Sequence, residues 1–583
     1  MVRLIAATVL VLATLGQTAA AQDARAVPEA ASGFAPRPAV VAGREMIVAA
    51  HPLASEAGAA AMAEGGSAAD AAIAALLVLG VVEPQSSGLG GGAFALVHAP
   101  GAGLTTLDAR ETAPAAATPA LFLDGDEPLG FWEAVASGRS VGVPGLARLM
   151  GRLHADHGRL PWARLVAPAE RLAREGFVVT PRLATSTATY AERLATTDAA
   201  AVLLPGGAPL VAGETLRQPA LADTLARLAE AGPDALYAGP VAEAIVAATR
   251  QPPRPGVLSL EDLAAYRVIE RSPVCLTYRA AWRVCGMGPP SSGATTVGQI
   301  LGLMDQFPAA DDPVAAAHLF AEASRLAYAD RALYLADPDQ VDVPVAGLMD
   351  PAYLARRAAL IDPGAASTGP ASAGVPAERD GRRAPQVVDT RPGTTHLSVI
   401  DGDGLALSIT ASIETAFGSG RMAGGMILNN QLTDFAFRPT GPDGAPVANA
   451  PGPGKRPRSS MAPTIVYAVG APSSPRVVIG SPGGSRIPEY VAGALVAILD
   501  AGAGPAEAVA GAMVGGHVSQ RNRDAVVVET GQVPEAVAEG MAAMGHAVER
   551  ADMTSGLHAI TVAPDGTLTG GADPRREGVA AGR

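Results

Sequence analysis

Cysteine is nearly absent: the chain of 583 residues holds two, Cys275 and Cys285. Neither has a histidine or another cysteine at ligand spacing and no HExxH occurs, so no metal centre is expected. Both lie in VCLTYRAAWRVC, whose β-rich halves flank a short centre and can face each other in a hairpin. An oxidising compartment favours a disulfide there, whereas directly opposed neighbours commonly offer poor disulfide geometry; the sequence leaves both states open. Aromatic residues make up 4% of the chain and charged residues 17%, beside 49% hydrophobic residues. Such a chain can bury a large core of small side chains, which excludes a disordered or fibrous protein. There is no basic run and the net charge is -13, which argues against nucleic acid or an anionic membrane as partner and leaves small molecules. Beyond the N-terminus no stretch reaches ~18 uninterrupted apolar residues, so no membrane span is expected. No internal repeat is visible.

What is present begins with an export signal. Arg3 precedes an apolar run from Leu4 to Leu15 and small residues ending Ala19-Ala20-Ala21, the pattern of a signal peptide over residues 1–21 with a mature chain from Gln22. The expected location is periplasmic or secreted; an uncleaved anchor is the lesser alternative. After a Pro/Ala-rich leader to about Val40, helices are expected over roughly 53–64 and from Ser67 to Val82, the second with Ser67 and Asp70 as a capping pattern. GLGGGAF (88–94) follows a helix and precedes a strand, the reverse of a dinucleotide loop, and has no P-loop lysine, so it reads as close backbone packing. A strand is expected in LTTLDARETAP (104–114). The Ala/Leu/Arg-rich middle, 141–322, reads as mostly scaffold, with helices around 146–154 and 221–231 and with His154 and His157 on a solvated face. From 361 to 393 the composition shifts to Pro, Gly, Ser, Ala and Arg, the mark of a mobile surface connection. Strands HLSVI, LALSITAS, PTIVYAV and RVVIG, helices over 489–501 and 506–513, and a last β segment, HAITVAPDGTLTGG, follow.

The chemistry centres on GTTHLSVID, residues 393–401. A flexible residue precedes a hydroxyl nucleophile that opens a strand, the layout of a self-cleavage site. Attack of Thr394 on the Gly393 carbonyl, followed by hydrolysis of the ester, would make Thr394 the first residue of a new chain. An α-amine titrates near ~8 and can take the hydroxyl proton at neutral pH, so one residue then supplies nucleophile and base. Thr394, Thr395 and the alternating Leu397 and Val399 also describe an ordinary half-buried strand.

Polar clusters interrupt the apolar strands that follow: NNQLTDF (429–435), KRPRSSMAPT (455–464) and GSPGGSRI (480–487). Together with LDARETAP, EPQSSGLGGGAF and PPSSGAT (289–295), these strings closely resemble the γ-glutamyltransferase family of N-terminal nucleophile hydrolases, in order from about Val48 to Arg575. The resemblance implies an α+β fold, a four-layer αββα sandwich shared by a large piece (22–393) and a small catalytic piece (394–583) after self-cleavage at Gly393–Thr394. It also implies that the two pieces stay paired and that no metal or organic cofactor is needed.

Residue by residue, the resemblance assigns Arg110 to the α-carboxylate of a γ-glutamyl donor, for which a planar two-pronged guanidinium is suited. Ser459 and Ser460 match hydroxyls that hold the same carboxylate; Asp434, Gln431 and Glu414 match the binders of the α-ammonium, so opposite charges are sorted to opposite ends. Gly483 and Gly484 match the pair whose N–H groups form the oxyanion hole. Thr395 is expected to help position the nucleophile, and Ser412 stands where the family usually has a second Thr that contacts it. Glu414 stands where many members have Asn, and the segment FAFRPTGPDGAPV (435–447) is shorter than a typical bacterial lid loop and lacks Tyr or Trp. An open pocket implies that water competes with an amino acid or dipeptide acceptor. Two rivals remain: an acylase on the same scaffold acting on glutaryl or cephalosporin-type substrates, and an unprocessed, non-catalytic exported binding protein.

Overall fold

The computed structural model describes residues 31–379, 381–386 and 393–583. The expected export signal and residues 387–392 of the connection lie outside them.

Two seven-stranded sheets form the centre. The first runs in the order Val579–Gly582, Met46–Ala49, Thr394–Ile400, Ala406–Ser412, Gly92–Ala99, Gly103–Ala109, Ile269–Arg271, every pairing antiparallel. The second, also antiparallel throughout, runs Val40–Ala42, Leu568–Ala572, His558–Val562, Ala471–Gly480, Thr464–Ala468, Trp282–Gly286, Val274–Tyr278. Because side chains alternate along a strand, Ile47, Ala49, Leu397 and Val399 face one apolar core and Met46, Val48 and Ile400 the other. The first core is closed by helices that include Pro52–Ala63, Ala68–Val82 and Pro219–Ala231. The second holds the inter-sheet space together with the helices Gly293–Met304, Pro313–Tyr334 and Ile487–Leu499. The layers are therefore helix, sheet, sheet, helix, as the resemblance implied.

The local signals hold where a specific contact underlies them. Ser67 Oγ accepts from the Asp70 N–H at 3.2 Å and the Asp70 carboxylate accepts from Ser67 N–H at 2.9 Å, the reciprocal cap that starts the buried helix Ala68–Val82. The two cysteines sit directly opposite each other in the hairpin register and are joined as a disulfide, which settles what the sequence left open. His154 departs from the expected solvated face: its Nε2 lies 2.8 Å from Leu160 O and its ring packs edge-on against Trp162. The low-complexity connection makes fixed contacts over its described part. Gly374 N–H donates to Asp330 at 2.7 Å, Ala371 N–H to Asn522 Oδ1 at 2.6 Å, and Gln386 N–H to Ala332 O at 2.9 Å. Backbone groups, not apolar side chains, make these attachments, which is why composition gave no sign of them.

Among the described residues no helix is long and apolar enough to cross a membrane, and no group of three or more His, Cys, Asp or Glu residues is arranged to hold a metal ion.

The run GLGGGAF packs backbone against backbone. A Cβ on Gly90 would sit 2.1 Å from Ile427 O, and one on Gly91 2.2 Å from Ser412 O. Gly90→Ala is expected to destabilise the protein by ~2 kcal/mol or more and lower the melting temperature by several degrees. Gly43→Ala, with nothing within 4 Å of its added methyl, should leave the melting temperature unchanged; equal effects on thermal unfolding would refute the packing account.

Candidate active site

Thr394 opens a strand buried along its whole length between Met46–Ala49 and Ala406–Ser412. The antiparallel register sets it opposite Ser412, and the two hydroxyl oxygens are 3.1 Å apart. Ser412 Oγ donates its one proton to Gly393 O at 3.0 Å and accepts from Glu414 N–H at 2.9 Å. Since that proton is committed, the Thr394 hydroxyl is the donor to Ser412. Ile413 N–H also reaches Gly393 O, at 3.4 Å, so the carbonyl in front of Thr394 has two donors aimed at it. Thr395, on the strand's opposite face, does not line the cavity that Thr394 enters. It neighbours Glu83, whose carboxyl is pushed up to about 7 by burial, against the Arg182 charge and its hydrogen bond.

The cavity in front of Thr394 gathers the residues that the motifs singled out. Arg110, Ser459 and Ser460 line it together with Glu414, Gln431 and Asp434; Ser412 and Gly484 complete the wall around Thr394. Met461 and Ile487 also line it; being apolar and lodged inside motif strings, they carried no separate signal. Arg110 leaves the end of the strand Gly103–Ala109 and is almost fully buried. Its Nε donates to Pro457 O at 3.1 Å, and its Nη2 donates to Arg458 O at 3.1 Å and to the Asp434 carboxylate.

That last contact corrects one expectation: the acidic and basic residues are not at opposite ends but in direct contact. The reason is geometric, because an α-carboxylate and an α-ammonium hang from one carbon and their partners must be neighbours. Asp434 also accepts from Gln431 Nε2 at 3.3 Å. Asp434 Oδ1 and Gln431 Oε1 are buried without a hydrogen-bond partner among the described residues, two acceptors suited to a cation's N–H groups.

Ser460 Oγ accepts from Arg331 Nη2 at 2.6 Å, and Arg331 Nε donates to Ser292 Oγ at 2.8 Å. Arg331 comes from the helix Pro313–Tyr334, beyond the end of the 141–322 stretch read as scaffold, and carried no signal in sequence. Arg458 donates to Arg331 O at 3.0 Å, and burial, then the nearby Arg331 charge, pulls its pKa far below the usual arginine range. Arg331 thus reaches Ser460 directly, and Arg110 lines the same cavity as Ser459 and Ser460. Glu111, beside Arg110, is pushed up to about 8 by burial, with Arg110 opposing; near neutral pH it is largely protonated and leaves the Arg110 charge to Asp434.

At the other side of Thr394 the strand Ala471–Gly480 ends in the turn that carries Gly483 and Gly484, ahead of the helix Ile487–Leu499. Their φ angles are 132° and 60°, a backbone that L side chains rarely adopt. A Cβ on Gly483 would lie 2.5 Å from the Tyr490 ring. Gly484 lines the cavity and Gly483 does not. Glu414 holds φ of 81°, where Asn is at less disadvantage than Glu, and its Oε2 accepts from Asn430 Nδ2 at 2.8 Å. The short loop 435–447 turns away: Phe437 stacks on Phe122 at 4.6 Å, and none of its residues lines the cavity.

Two stacked antiparallel sheets between helical layers, with a buried threonine leading a central strand into a polar cavity, define a hydrolase of the N-terminal nucleophile class. The chain belongs to the gamma-glutamyltranspeptidase family, whose pattern matches residues 54–583. It is 38% identical over 541 residues to the glutathione hydrolase proenzyme of Escherichia coli, covering 91% of this chain and 90% of that protein. Acylase ACY 1 proenzyme of Pseudomonas sp. (strain SE83) is 35% identical over 548 residues, 92% of this chain and 93% of its own. Among solved structures, cephalosporin acylase from Bacillus halodurans matches with a TM-score of 0.83 at 29% identity, covering 95% of this chain and 99% of its own. Helicobacter pylori gamma-glutamyltranspeptidase matches with 0.51 at 35% identity, covering 54% and 91%.

Breaking the Arg110–Asp434 contact from one side tests its cost. Arg110→Met leaves a buried carboxylate without its cation and is expected to lower stability by ~3 kcal/mol. The double variant Arg110→Met/Asp434→Leu, which removes both charges, should regain most of that loss in a denaturant titration. If the double variant is the less stable, the pair is not coupled as described.

Proposed function

We propose that this enzyme cleaves itself between Gly393 and Thr394 and then transfers γ-glutamyl groups from glutathione or another γ-glutamyl amide to water or an amine, through an ester on Thr394. The observation that carries the reading is the Ser412 hydroxyl, which bridges Thr394 Oγ and Gly393 O at 3.1 Å and 3.0 Å beside the arginine–aspartate cavity. The exported product would comprise a large piece, 22–393, and a small piece, 394–583, held together as a heterodimer in the periplasm or outside the cell.

In self-cleavage Thr394 Oγ attacks the Gly393 carbonyl carbon, and charge developing on Gly393 O is met by the Ser412 hydroxyl and Ile413 N–H. The C–N bond breaks as the Thr394 nitrogen takes up a proton, leaving an ester between Gly393 and Thr394 Oγ. Water hydrolyses that ester to a Gly393 carboxylate and a free Thr394. Ser412, released from Gly393 O, can then donate to Thr394 Oγ instead.

In turnover the Thr394 α-amine takes the proton from its own hydroxyl as Oγ attacks the γ-carbonyl. Arg110, Ser459 and Ser460 hold the donor α-carboxylate; Asp434, Gln431 and Glu414 hold its ammonium; Gly483 and Gly484 stabilise the tetrahedral oxyanion with backbone N–H groups. The proton passes to the leaving amine, and water or an acceptor amine then resolves the γ-glutamyl ester. No step calls on a metal or organic cofactor.

The loop 435–447 offers nothing to cover the pocket, which supports hydrolysis at least comparable with transfer. A dipeptide acceptor that raised turnover many-fold over water alone would contradict this. The second reading, a glutaryl or cephalosporin-type acylase, is favoured by the acylase relatives. Asp434 and Gln431, which line the cavity and keep buried acceptors without a partner among the described residues, favour a donor that carries an ammonium, and comparing a γ-glutamyl anilide with a glutaryl anilide decides between them.

Thr394→Ala should remain one unbroken polypeptide and be inactive towards γ-glutamyl amides, whereas N-terminal sequencing of the native small piece should begin TTHLS. A Thr394→Ala variant that still matures and turns over substrate would end the proposal. Ser412→Ala should slow maturation by roughly 100-fold, the scale of losing one oxyanion donor. Mass spectrometry of freshly expressed protein over time measures this, and an unchanged maturation rate would remove Ser412 from that role.

A further inference from the structure

The acid Glu414 sits on a loop with an improbable backbone. Glu414 and Phe417 hold φ of 81° and 62°, and Gly418 and Gly420 follow at 49° and 73°. Two non-glycine residues in the left-handed region within four positions persist only when surroundings hold them there. Part of the hold is internal: Glu414 accepts from Asn430, and Thr415 Oγ1 donates to Gly418 O at 3.1 Å.

The rest comes from a distant part of the chain, the short helical stretch after Tyr190. Arg193 Nη1 donates to Gly418 O at 3.0 Å and its Nη2 to Ala416 O. Its guanidinium carbon lies 5.3 Å and 5.4 Å from the ring centroids of Trp132 and Tyr190. Tyr190 in turn meets the buried ring of Phe417 edge-on at 6.2 Å. Ala199 N–H donates to Gly420 O at 3.1 Å, and a Cβ on Gly420 would meet Thr197 at 2.5 Å. Apart from the two ring contacts of Arg193, which brace it within the large piece, these contacts join the large piece to the loop of the small piece.

We propose that Arg193 is a positioning residue for recognition of the donor ammonium: its forked guanidinium clamps the Ala416 and Gly418 carbonyls and holds Glu414 facing the cavity. A fork fits because the two carbonyls belong to alternate residues of one turn, which a single ammonium cannot span with the same geometry. Burial pulls the Arg193 pKa down to about 10, while Tyr190 and Glu414 act to raise it; it stays charged at neutral pH, and its charge acts with that of Glu414. The large piece therefore sets the position of an acid that the small piece carries. The inference rests on the functional reading above, since it assumes that Glu414 meets a donor ammonium.

The test compares two competitive inhibitors of γ-glutamyl-p-nitroanilide hydrolysis by the mature enzyme: L-glutamate, which has an α-ammonium, and glutarate, which lacks one. In Arg193→Met, KM for the anilide and Ki for glutamate should rise about ten-fold, with kcat and Ki for glutarate within about two-fold of wild type. Arg193→Lys, which keeps the charge but not the fork, should fall between and carries the comparison if Arg193→Met does not mature. If both inhibitors weaken together, or neither does, Arg193 is not positioning the ammonium site. A wild-type enzyme inactive on the anilide would instead overturn the functional reading, and would do so before any variant is made.

Discussion

The antiparallel register that sets Thr394 opposite Ser412 is the constraint on which the site depends. Side chains on a strand alternate with a period of two, so a slip of one residue would turn Thr394 towards the helical layer and bring Thr395 to the inter-sheet face. That slip is opposed along the whole strand. Leu397 and Val399 belong to one core and Ile400 to the other. Between the sheets, His396 Nδ1 pairs with Thr410 Oγ1 at 2.9 Å and Ser398 Oγ donates to Val478 O at 3.2 Å. A Cβ on Gly480 would lie 2.3 Å from the His396 ring, so the second sheet can approach this polar row only with glycine at that position. Apolar burial on one face and satisfied polar groups on the other fix the same register, and the nucleophile inherits its aim from both.

Charge in the cavity obeys the same economy of partners. Arg110, Arg331 and Arg458 are buried near one another, which would be prohibitive if each needed a carboxylate. Backbone carbonyls of Pro457, Arg458 and Arg331 and the hydroxyls of Ser292 and Ser460 take their N–H groups instead. These neutral acceptors satisfy the remaining donors, while the Arg110 charge is met by Asp434. Asp434 then gives the opposite preference at a distance that one amino-acid head group spans.

How much of this was legible from sequence depends on whether a residue acts inside its own motif. Arg110, Asp434, Ser459 and Gly484 stand in short strings whose residue types advertise the chemistry, and the cavity collects them. The helix Ala68–Val82 was legible because Ser67 and Asp70 cap it locally. Arg331 and Arg193 were not: Arg193 lies in the Ala/Leu/Arg-rich stretch 141–322 and Arg331 just beyond it, outside every motif string, and each has a partner more than a hundred residues away. The pairing of Cys275 with Cys285 needed the hairpin register. Several contacts of the connection after Ile361 use backbone N–H groups, which every residue but proline possesses and which composition cannot report.

The strand order would keep the fold together through the proposed cut before Thr394. In the first sheet Thr394–Ile400 lies between Met46–Ala49 and Ala406–Ser412, and Ala406–Ser412 in turn pairs with Gly92–Ala99. Segments from before and after residue 393 therefore alternate across the sheet. The second sheet repeats this at both ends, with Val40–Ala42 on Leu568–Ala572 and Trp282–Gly286 on Thr464–Ala468. Severing one peptide bond at the start of a strand removes no ladder hydrogen bond and exposes no apolar face, whereas separating the pieces would break five ladders within these two sheets, that of Met46–Ala49 with Val579–Gly582 among them. The proposed cut before Thr394 is thus compatible with a fully formed site, because the sheets and cores around it do not depend on the Gly393–Thr394 bond.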